Sequence, residues 1–343
     1  MGRRSRVQSM LLGLLIGLGC IGILLRQVDL KQSWNALGRL NGPFMLVPLA
    51  MFLVNLPLRA WRWQLIFPSS WRPGFSACLM VLGIGNMANF LLPGRAGDLA
   101  RCVLLGRSSS LNESSRTLAT LAVEKALDGI ALAGMILLAL WALHPPLWLL
   151  VLVRVAILVF GSALILLVLV RYQARMLLAF VRRIFSAMRL SSIEERLDGL
   201  LTSFADGLSA VNSGWQMLTI LIMTAAIWMT EAGLVWGLAM ALGLRVPIQW
   251  ALVTTAVLGL GMMIPAAPGG LGTYELLGTE TFKLAGIAAS SALTLTIVIH
   301  AWVFVANVAF GICALGIKGI SLAQVRDRLE VDGAVETPAQ PSQ

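Results

Sequence analysis

Apolar segments of transmembrane length recur along this chain and constrain its fold more than any other feature. An α-helix needs about 20 mainly apolar residues to cross roughly 30 Å of hydrocarbon. Hydrophobic residues make up 58% of the 343 positions and charged residues 12%, about half the charged share of a soluble domain. We therefore expect an all-α, polytopic integral membrane protein with about six full spans. These spans are predicted at about 10–25, 44–66, 117–142, 147–170, 215–242 and 288–316.

Two further apolar regions, about 75–107 and 250–286, are each interrupted by proline and glycine. The interruptions are Leu92–Gly97 and Pro265–Gly272. A helix break at membrane depth leaves backbone groups that only protein or a water-filled cavity can satisfy. The pattern predicts two re-entrant helical hairpins, which would make the two halves an inverted repeat. The alternative is eight conventional spans.

The distribution of basic residues favours the re-entrant layout. The N-terminus carries Arg3, Arg4 and Arg6, and six further arginines lie in 171–213. Cytoplasmic segments are enriched in Lys and Arg, so both termini and this segment are predicted to be cytoplasmic. If both interrupted regions crossed fully, 171–213 would lie outside. We expect a multi-pass protein of the bacterial cytoplasmic (inner) membrane.

These assignments predict a single transmembrane domain over 1–328. Its halves, about 10–170 and 215–318, are joined by an amphipathic cytoplasmic connector at 171–213. Arginines in the connector lie opposite apolar residues at helical spacing, which suits an anionic lipid surface. Residues 329–343 lack apolar periodicity and are expected to form a disordered cytoplasmic tail.

Several function classes receive no support from the sequence. The net charge of +10 comes from arginines that flank apolar segments, without the aromatic and basic surface of a nucleic-acid reader. The four cysteines are far apart, and the two histidines are His144 and His300. That spacing provides no metal-ligand set, disulfide framework or nucleophile–base pair. We expect no nucleic-acid partner, no metal, no cofactor and no enzymatic activity.

The first interruption carries the strongest candidate binding site. Arg95, Asp98 and Arg101 are three residues apart, so they share one side of a helix, where Asp98 could hold both arginines. Guanidinium groups beside a helix N-terminus suit a phosphate group. Capping of a helix at a cytoplasmic loop is the alternative. The candidate substrate-binding residues here are Asn86, Asn89, Pro93, Gly94, Arg95, Gly97, Asp98 and Arg101.

The second interruption adds further candidates for substrate binding. Gly269, Gly270 and Gly272 allow the backbone to approach a ligand closely. Glu275 lies in the first turn of the following helix, where an acidic side chain also complements the helix dipole. Ligand binding and simple capping are equal alternatives for Glu275.

Four charges lie inside predicted spans and are candidates for intramembrane charge coupling: Glu124, Lys125, Asp128 and Glu231. Each costs about 2.5–3.5 kcal/mol near the bilayer centre, so these groups should face a cavity or one another. Interfacial placement is the alternative for the first three. Glu231 has no charge within reach on its own helix, so its partner must come from another one. The candidate partners are Lys283, Arg154, His300 and the cluster at Arg95.

Arg59 and Arg62 lie among tryptophans at the cytoplasmic end of the second span. Such a pattern is typical of an interfacial anchor. Contact with a lipid headgroup is the alternative.

The motifs, in this order, resemble the flippase-like transmembrane family of lysylphosphatidylglycerol synthases. The resemblance covers about residues 10–320 and depends mainly on the paired Pro-Gly interruptions. The family usually has Glu where Asp98 stands and Arg where Lys125 stands, so bidentate headgroup contacts are less secure at Lys125. Two-domain relatives add a soluble aminoacyl-transferring domain. Because only 27 residues follow Gly316, we expect a stand-alone member that does not aminoacylate lipid.

This resemblance implies a lipid transporter. We expect the protein to move an anionic, phosphate-bearing phospholipid or a lipid-linked saccharide between leaflets. One alternative is a non-transporting scaffold that binds a lipid- or glycan-modifying enzyme. A membrane-embedded glycosyl or aminoacyl transferase is a further alternative.

Overall fold

The computed structural model describes residues 41–92, 96–105, 111–140, 146–187, 191–208, 213–263, 268–320 and 324. All regular secondary structure in these ranges is helical. The predicted span at 10–25 and the predicted tail lie outside the described residues, as do Pro93, Gly94 and Arg95 of the first interruption. The described part of the chain therefore confirms the all-α class.

Ten α-helices make up the described structure. In chain order they are α1 (Leu46–Ile66), α2 (Phe75–Leu91), α3 (Ala96–Leu105), α4 (Leu111–Leu140), α5 (Leu147–Ala187), α6 (Ser191–Leu208), α7 (Gly214–Ala241), α8 (Ile248–Met263), α9 (Thr273–Leu284) and α10 (Ala289–Lys318). Short 3₁₀ turns precede α1 at Gly42–Met45, α2 at Ser69–Trp71 and α9 at Pro268–Gly270.

Four helical segments are long and apolar enough to cross a membrane: Gly42–Ile66, Leu147–Arg171, Gly214–Ala241 and Ala289–Lys318. They correspond to four of the predicted spans. The predicted span at 117–142 is also a helix, α4, which is 30 residues long and carries the charged groups described below. In α5 the backbone leaves helical geometry at Gln173, close to the predicted boundary between span and connector. The chain is therefore a polytopic helical membrane protein.

Each of the two interrupted regions forms a helical hairpin. Helix α3 has 10 residues and α9 has 12, which gives lengths of about 15 and 18 Å at 1.5 Å per residue. Both helices are too short to cross roughly 30 Å of hydrocarbon. Each packs back on the longer helix before it, α3 on α2 and α9 on α8. We name these pairs hairpin 1 (α2–α3) and hairpin 2 (α8–α9).

The contacts between helices are reciprocal between the two halves of the chain. Helix α2 packs on α10, which follows hairpin 2, and α8 packs on α4, which follows hairpin 1. The helices that precede the hairpins, α1 and α7, pack on each other. They run antiparallel, because Asn55 contacts Thr230 whereas Leu65, further along α1, contacts Gln216, which is earlier in α7. Equivalent helices with opposite directions are the arrangement expected of an inverted repeat.

Glycine permits the close approach of the two helices in hairpin 1. A Cβ atom at Gly97 of α3 would collide with the backbone of Gly85 and Asn89 in α2. No side chain fits there without separating the helices, and close-packed interiors tolerate such overpacking poorly. By contrast, a Cβ at Gly134 in α4 would meet open space.

We predict that Gly97→Ala destabilises the protein by about 1–3 kcal/mol through overpacking. Gly134→Ala is the matched control and is expected to leave stability unchanged or to raise it by about 0.5–1 kcal/mol, because alanine favours the helix. Thermal unfolding in detergent, followed for both variants and the wild type, measures the difference. Equal melting temperatures for Gly97→Ala and the wild type would contradict the packing described here.

Candidate functional site

Arg62 of α1 is fully buried and forms an ion pair with Asp128 of α4. Its Nη1 atom donates to Asp128 Oδ1 at 2.5 Å and its Nη2 atom donates to Oδ2 at 3.2 Å. Nη1 also lies 3.0 Å from the hydroxyl oxygen of Thr224 in α7. Asp128 accepts a further hydrogen bond from the indole nitrogen of Trp228 at 3.1 Å. This ion pair therefore joins the helices α1, α4 and α7.

A second buried ion pair joins hairpin 1 to α4. Arg101 Nη1 and Nη2 donate to the two carboxylate oxygens of Glu124 at 3.1 and 2.8 Å. The guanidinium carbon of Arg101 lies 4.0 Å from the ring centroid of Trp63, and the indole nitrogen of Trp63 donates to Thr120. Bidentate pairing and stacking on an aromatic ring both stabilise the buried guanidinium group of Arg101, whose Nε atom has no hydrogen-bond partner among the described residues.

A third pair, Arg59 of α1 with Glu231 of α7, is less buried. Arg59 Nη2 lies 3.0 Å from Glu231 Oε1, and Arg59 Nε donates to Asn55 Oδ1 at 2.7 Å. The side chains of Arg59 and Glu231 are 18% and 27% exposed, whereas those of Arg62 and Asp128 are 1% and 4% exposed. Of these two pairs, Arg59–Glu231 is therefore the more open to exchange with a ligand.

A fourth cation, Lys125, faces Asp98 of hairpin 1, with 3.5 Å between Nζ and Oδ1. Asn89 Nδ2 also donates to Asp98 Oδ1, at 3.4 Å. The ring of Trp228 lies under Arg59, and its indole nitrogen donates to Asp128, so Trp228 links the Arg59–Glu231 pair to the other ion pairs. The described residues of this network hold as many cations as carboxylates. The cations are Arg59, Arg62, Arg101 and Lys125, and the carboxylates are Asp98, Glu124, Asp128 and Glu231. Charge balance lets the network persist inside a hydrocarbon layer, where an unpaired charge is costly.

A cavity of about 240 Å³ lies where the two halves meet. Helix α2 contributes Asn86, Asn89 and Phe90, and hairpin 2 contributes Gly269, Gly270 and Tyr274. Arg59, Lys125, Asp128 and Glu231 complete its charged lining. The cavity therefore brings together groups from both interrupted regions and from the intramembrane network.

The interruption of hairpin 2 has an unusual backbone. Gly269, Gly270 and Gly272 all have positive φ, at 64°, 73° and 83°, a conformation that glycine adopts without strain. The turn points the amide of Gly272 at Glu275, whose Oε2 atom accepts the N–H at 2.6 Å. Glu275 Oε1 lies 2.5 Å from Nδ1 of His300 in α10. Glu275 therefore caps α9, as one alternative proposed, and also pairs with a second helix, whereas ligand binding at Glu275 stays a prediction.

The structure corrects two expectations about the arginines. Arg62 is not an interfacial anchor and does not contact a headgroup in this conformation, because its side chain is enclosed and paired with Asp128. The main partner of Arg101 is Glu124 rather than Asp98, which lies 3.9 Å away, so Asp98 is not its principal counter-ion. Arg101 is also fully buried and lies outside the cavity lining.

Glu231 also has a partner that the sequence interpretation did not propose. The expected candidates included Lys283 and His300, but Lys283 pairs with Glu280 and His300 with Glu275. Arg59 is the partner instead, because antiparallel packing of α1 on α7 brings the two side chains to the same level. Glu124 and Asp128 are 4% and 3% exposed, so they face partner charges within the protein rather than water.

Sequence reasoning missed several residues of the site. Asn55 and Asn307 are polar residues inside apolar helices and line the cavity, so a search for isolated asparagines within spans could have found them. Trp63 and Trp228 contact the buried ion pairs, but no sequence signal distinguishes them from the other tryptophans. No group of three or more His, Cys, Asp or Glu that could hold a metal exists among the described residues.

We predict that Asp128→Asn destabilises the protein by about 3–5 kcal/mol, because it leaves the buried Arg62 without its counter-charge. Asp206→Asn is the matched control, since Asp206 forms an exposed pair with Arg116 that is worth at most about 1 kcal/mol. Thermal unfolding in detergent compares the two variants. Combining Asp128→Leu with Arg62→Leu should recover most of the lost stability, and a double variant no more stable than Asp128→Asn would contradict the pairing.

Comparison with known proteins agrees with this architecture. A UPF0104 membrane protein of Pyrococcus horikoshii is 23% identical over 307 residues, which is 82% of this chain and 89% of that protein. A UPF0104 membrane protein of Methanothermobacter thermautotrophicus is 28% identical over 260 residues, or 71% of this chain and 75% of that protein. The glycosyltransferase AglD of Haloferax volcanii is 24% identical over 363 residues, which covers 95% of this chain and 58% of AglD.

The family model described as the lysylphosphatidylglycerol synthase TM region matches residues 10–311. This match extends over most of the chain and includes both hairpins and the charge network between them. The protein belongs to the lysylphosphatidylglycerol synthase TM region family.

Proposed function

We propose that this protein moves the polar headgroup of a phosphate-bearing lipid through the central cavity, from one leaflet of a bacterial cytoplasmic membrane to the other. The observation that carries the proposal is the cavity itself. Charged and amide side chains lie in its largely apolar wall, it lies between two inverted halves, and both helix interruptions contribute to its lining. In transporters built from inverted repeats, broken helices at the repeat interface hold the cargo near the bilayer midplane.

The charge balance of the network indicates how a headgroup would bind. Every described cation of the network already has a carboxylate partner, so a phosphate that binds one of these cations competes with its carboxylate. The two pairs that combine partial exposure with a cation in the cavity wall are Arg59–Glu231 and Lys125–Asp98. A phosphate that replaces Glu231 at Arg59 would also lie in reach of the asparagine amides lining the cavity. The enclosed pairs of Arg62 and Arg101 would remain intact and keep the helices together.

The relatives bear on the nature of the cargo. One of them is named a glycosyltransferase, which supports a lipid-linked saccharide beside an anionic phospholipid as a cargo class. The same name supports a second candidate function, in which the chain is a scaffold or a membrane-embedded part of a glycan-transferring enzyme. The two candidates differ in whether the purified protein alone moves lipid.

We predict that Arg59→Gln lowers the rate of lipid movement by about tenfold or more, equivalent to roughly 1.4 kcal/mol of lost interaction. The assay reconstitutes the purified protein into liposomes that contain a trace of fluorescent lipid and follows the accessibility of the label to an external quencher. The panel comprises phosphatidylglycerol, a polyprenyl-phosphate saccharide and phosphatidylcholine. Anionic and saccharide-bearing lipids are expected to move faster than phosphatidylcholine.

Lys283→Gln is the control, because it also removes a cation from an ion pair but Lys283 does not line the cavity. Its rate should equal that of the wild type. A wild type that is no faster than protein-free liposomes for every lipid would reject transport and favour the scaffold candidate. Equal loss in both variants would show that the cavity cation has no special role.

A further inference from the structure

His300 packs against the wall of the cavity at hairpin 2, on the side that faces away from the cavity. This side chain is 6% exposed and lies outside the cavity lining, but it contacts two residues that form the lining. Its Nε2 atom lies 2.8 Å from the carbonyl oxygen of Gly269, and its ring stacks on Tyr274 with 4.3 Å between ring centroids. The Nδ1 atom lies 2.5 Å from Glu275 Oε1. One imidazole thus holds the turn of hairpin 2 and the first turn of α9 together.

The contacts of His300 with Gly269 and Glu275 require one proton more than a neutral imidazole and an ionised carboxylate carry together. Both ring nitrogens face acceptor oxygens, whereas a neutral imidazole has a single N–H. The contacts with Gly269 and Glu275 can coexist only if the ring is an imidazolium or if Glu275 is protonated. The two forms contain the same number of protons. Loss of one proton leaves a nitrogen lone pair facing an oxygen lone pair, so one of the two contacts must break.

Three carboxylates of the site are each paired with a group that does not lose its proton. Glu124, Asp128 and Glu231 were expected to act in charge coupling, but each is bound to an arginine guanidinium. Arginine keeps its proton at any physiological pH, and its positive charge favours the ionised carboxylate. In the Glu275–His300 pair both members titrate, so proton loss changes the geometry directly.

The charged groups around this pair are few among the described residues. On α9, Tyr274 stacks on His300, and Glu280 and Lys283 pair with each other. Helix α7 contributes Glu231, which is held by Arg59, and α2 contributes the uncharged ring of Phe90. His300 is the twelfth residue of the 30-residue helix α10, roughly 17 Å from its start. The pair therefore lies near the middle of a spanning helix.

We propose that the Glu275–His300 pair is the proton-binding site that couples lipid movement to the proton gradient. The inference rests on the proposed function and adds the coupling ion to it. With the proton bound, His300 holds the turn at Gly269 and the cavity wall is closed on that side. Release of the proton frees the turn, so hairpin 2 moves relative to α10 and the cavity opens toward the other leaflet. The proton is taken up from water on one side and released on the other.

Glu275→Gln tests the proposal with a nearly isosteric side chain. The glutamine oxygen can accept from Gly272 and its amide can donate to Nδ1 of a neutral imidazole, which leaves Nε2–H for Gly269. The closed arrangement is then kept without a titratable proton. Glu280→Gln makes the same change on the same helix at a half-exposed side chain and is the matched control.

The experiment imposes a gradient of one pH unit on proteoliposomes of the three lipids named above, with the membrane potential clamped at zero. For one proton per lipid, the gradient shifts the leaflet ratio of the moved lipid by at most about tenfold. We expect a shift in the wild type and in Glu280→Gln and none in Glu275→Gln. A wild type that equilibrates lipid without responding to the gradient would overturn the proton coupling and leave the proposed function intact. A response in Glu275→Gln equal to that of the wild type would also overturn it.

A second measurement detects the proton without relying on transport. The chain has two histidines, so ¹⁵N-histidine NMR of the full-length protein in detergent gives two ring systems, and His144→Asn assigns them. In the wild type we expect a proton in the hydrogen bond at each ring nitrogen of His300, with the proton at Nδ1 carried by the ring or by Glu275. In Glu275→Gln we expect a neutral Nε2–H tautomer. An Nδ1 atom with no proton in its hydrogen bond throughout pH 5–8 would reject the site. Failure of all lipid movement would reject the proposed function instead, and the NMR result would still decide whether the proton is bound.

Discussion

The arrangement of this protein depends on the requirement that a charge inside a membrane must meet its counter-charge within the protein. Arg62 and Arg101 each reach a carboxylate of α4 and are fully buried. Removal of the carboxylate partner of either arginine would leave a guanidinium group that cannot lose its proton and cannot reach water. The positions of α1, hairpin 1 and α4 are therefore mutually specified. Glycines at positions 97 and 85 let α3 pack closely on α2, and the side chain of Arg101 passes over Gly85.

The same constraint explains why the network has two kinds of ion pair. Enclosed pairs with two parallel hydrogen bonds fix the helices, as at Arg101–Glu124. Partly exposed pairs face the cavity, as at Arg59–Glu231. A site that binds an anionic group reversibly needs cations whose partners can be exchanged at modest cost, and such exchange is cheaper where water or ligand has access. Burial therefore separates the ion pairs that join helices from the ion pairs that face the cavity.

Much of the fold was predictable because helix breaks and apolar length have direct physical meaning in a membrane. Four of the predicted spans and both hairpins are present as helices at close to the expected residues. The partners of the charges were not predictable. Periodicity places Glu231 on a face of α7, but the level at which Arg59 meets it depends on the antiparallel register of two helices 172 residues apart in sequence. The sequence offered His300 only as a candidate partner of Glu231. Its contact with Gly269 depends on the positive-φ glycine turn opposite it, which the sequence does not place.

The two hairpins differ in how they are held, and this difference has a consequence for motion. Hairpin 1 is bound to α4 by an arginine pair, and its own two helices are joined by close backbone packing at Gly97. The turn of hairpin 2 is bound to α10 through hydrogen bonds of one histidine and through glycines that can change conformation easily. In the transport function that we propose, this asymmetry makes hairpin 2 the element expected to move against hairpin 1, with the cavity between them.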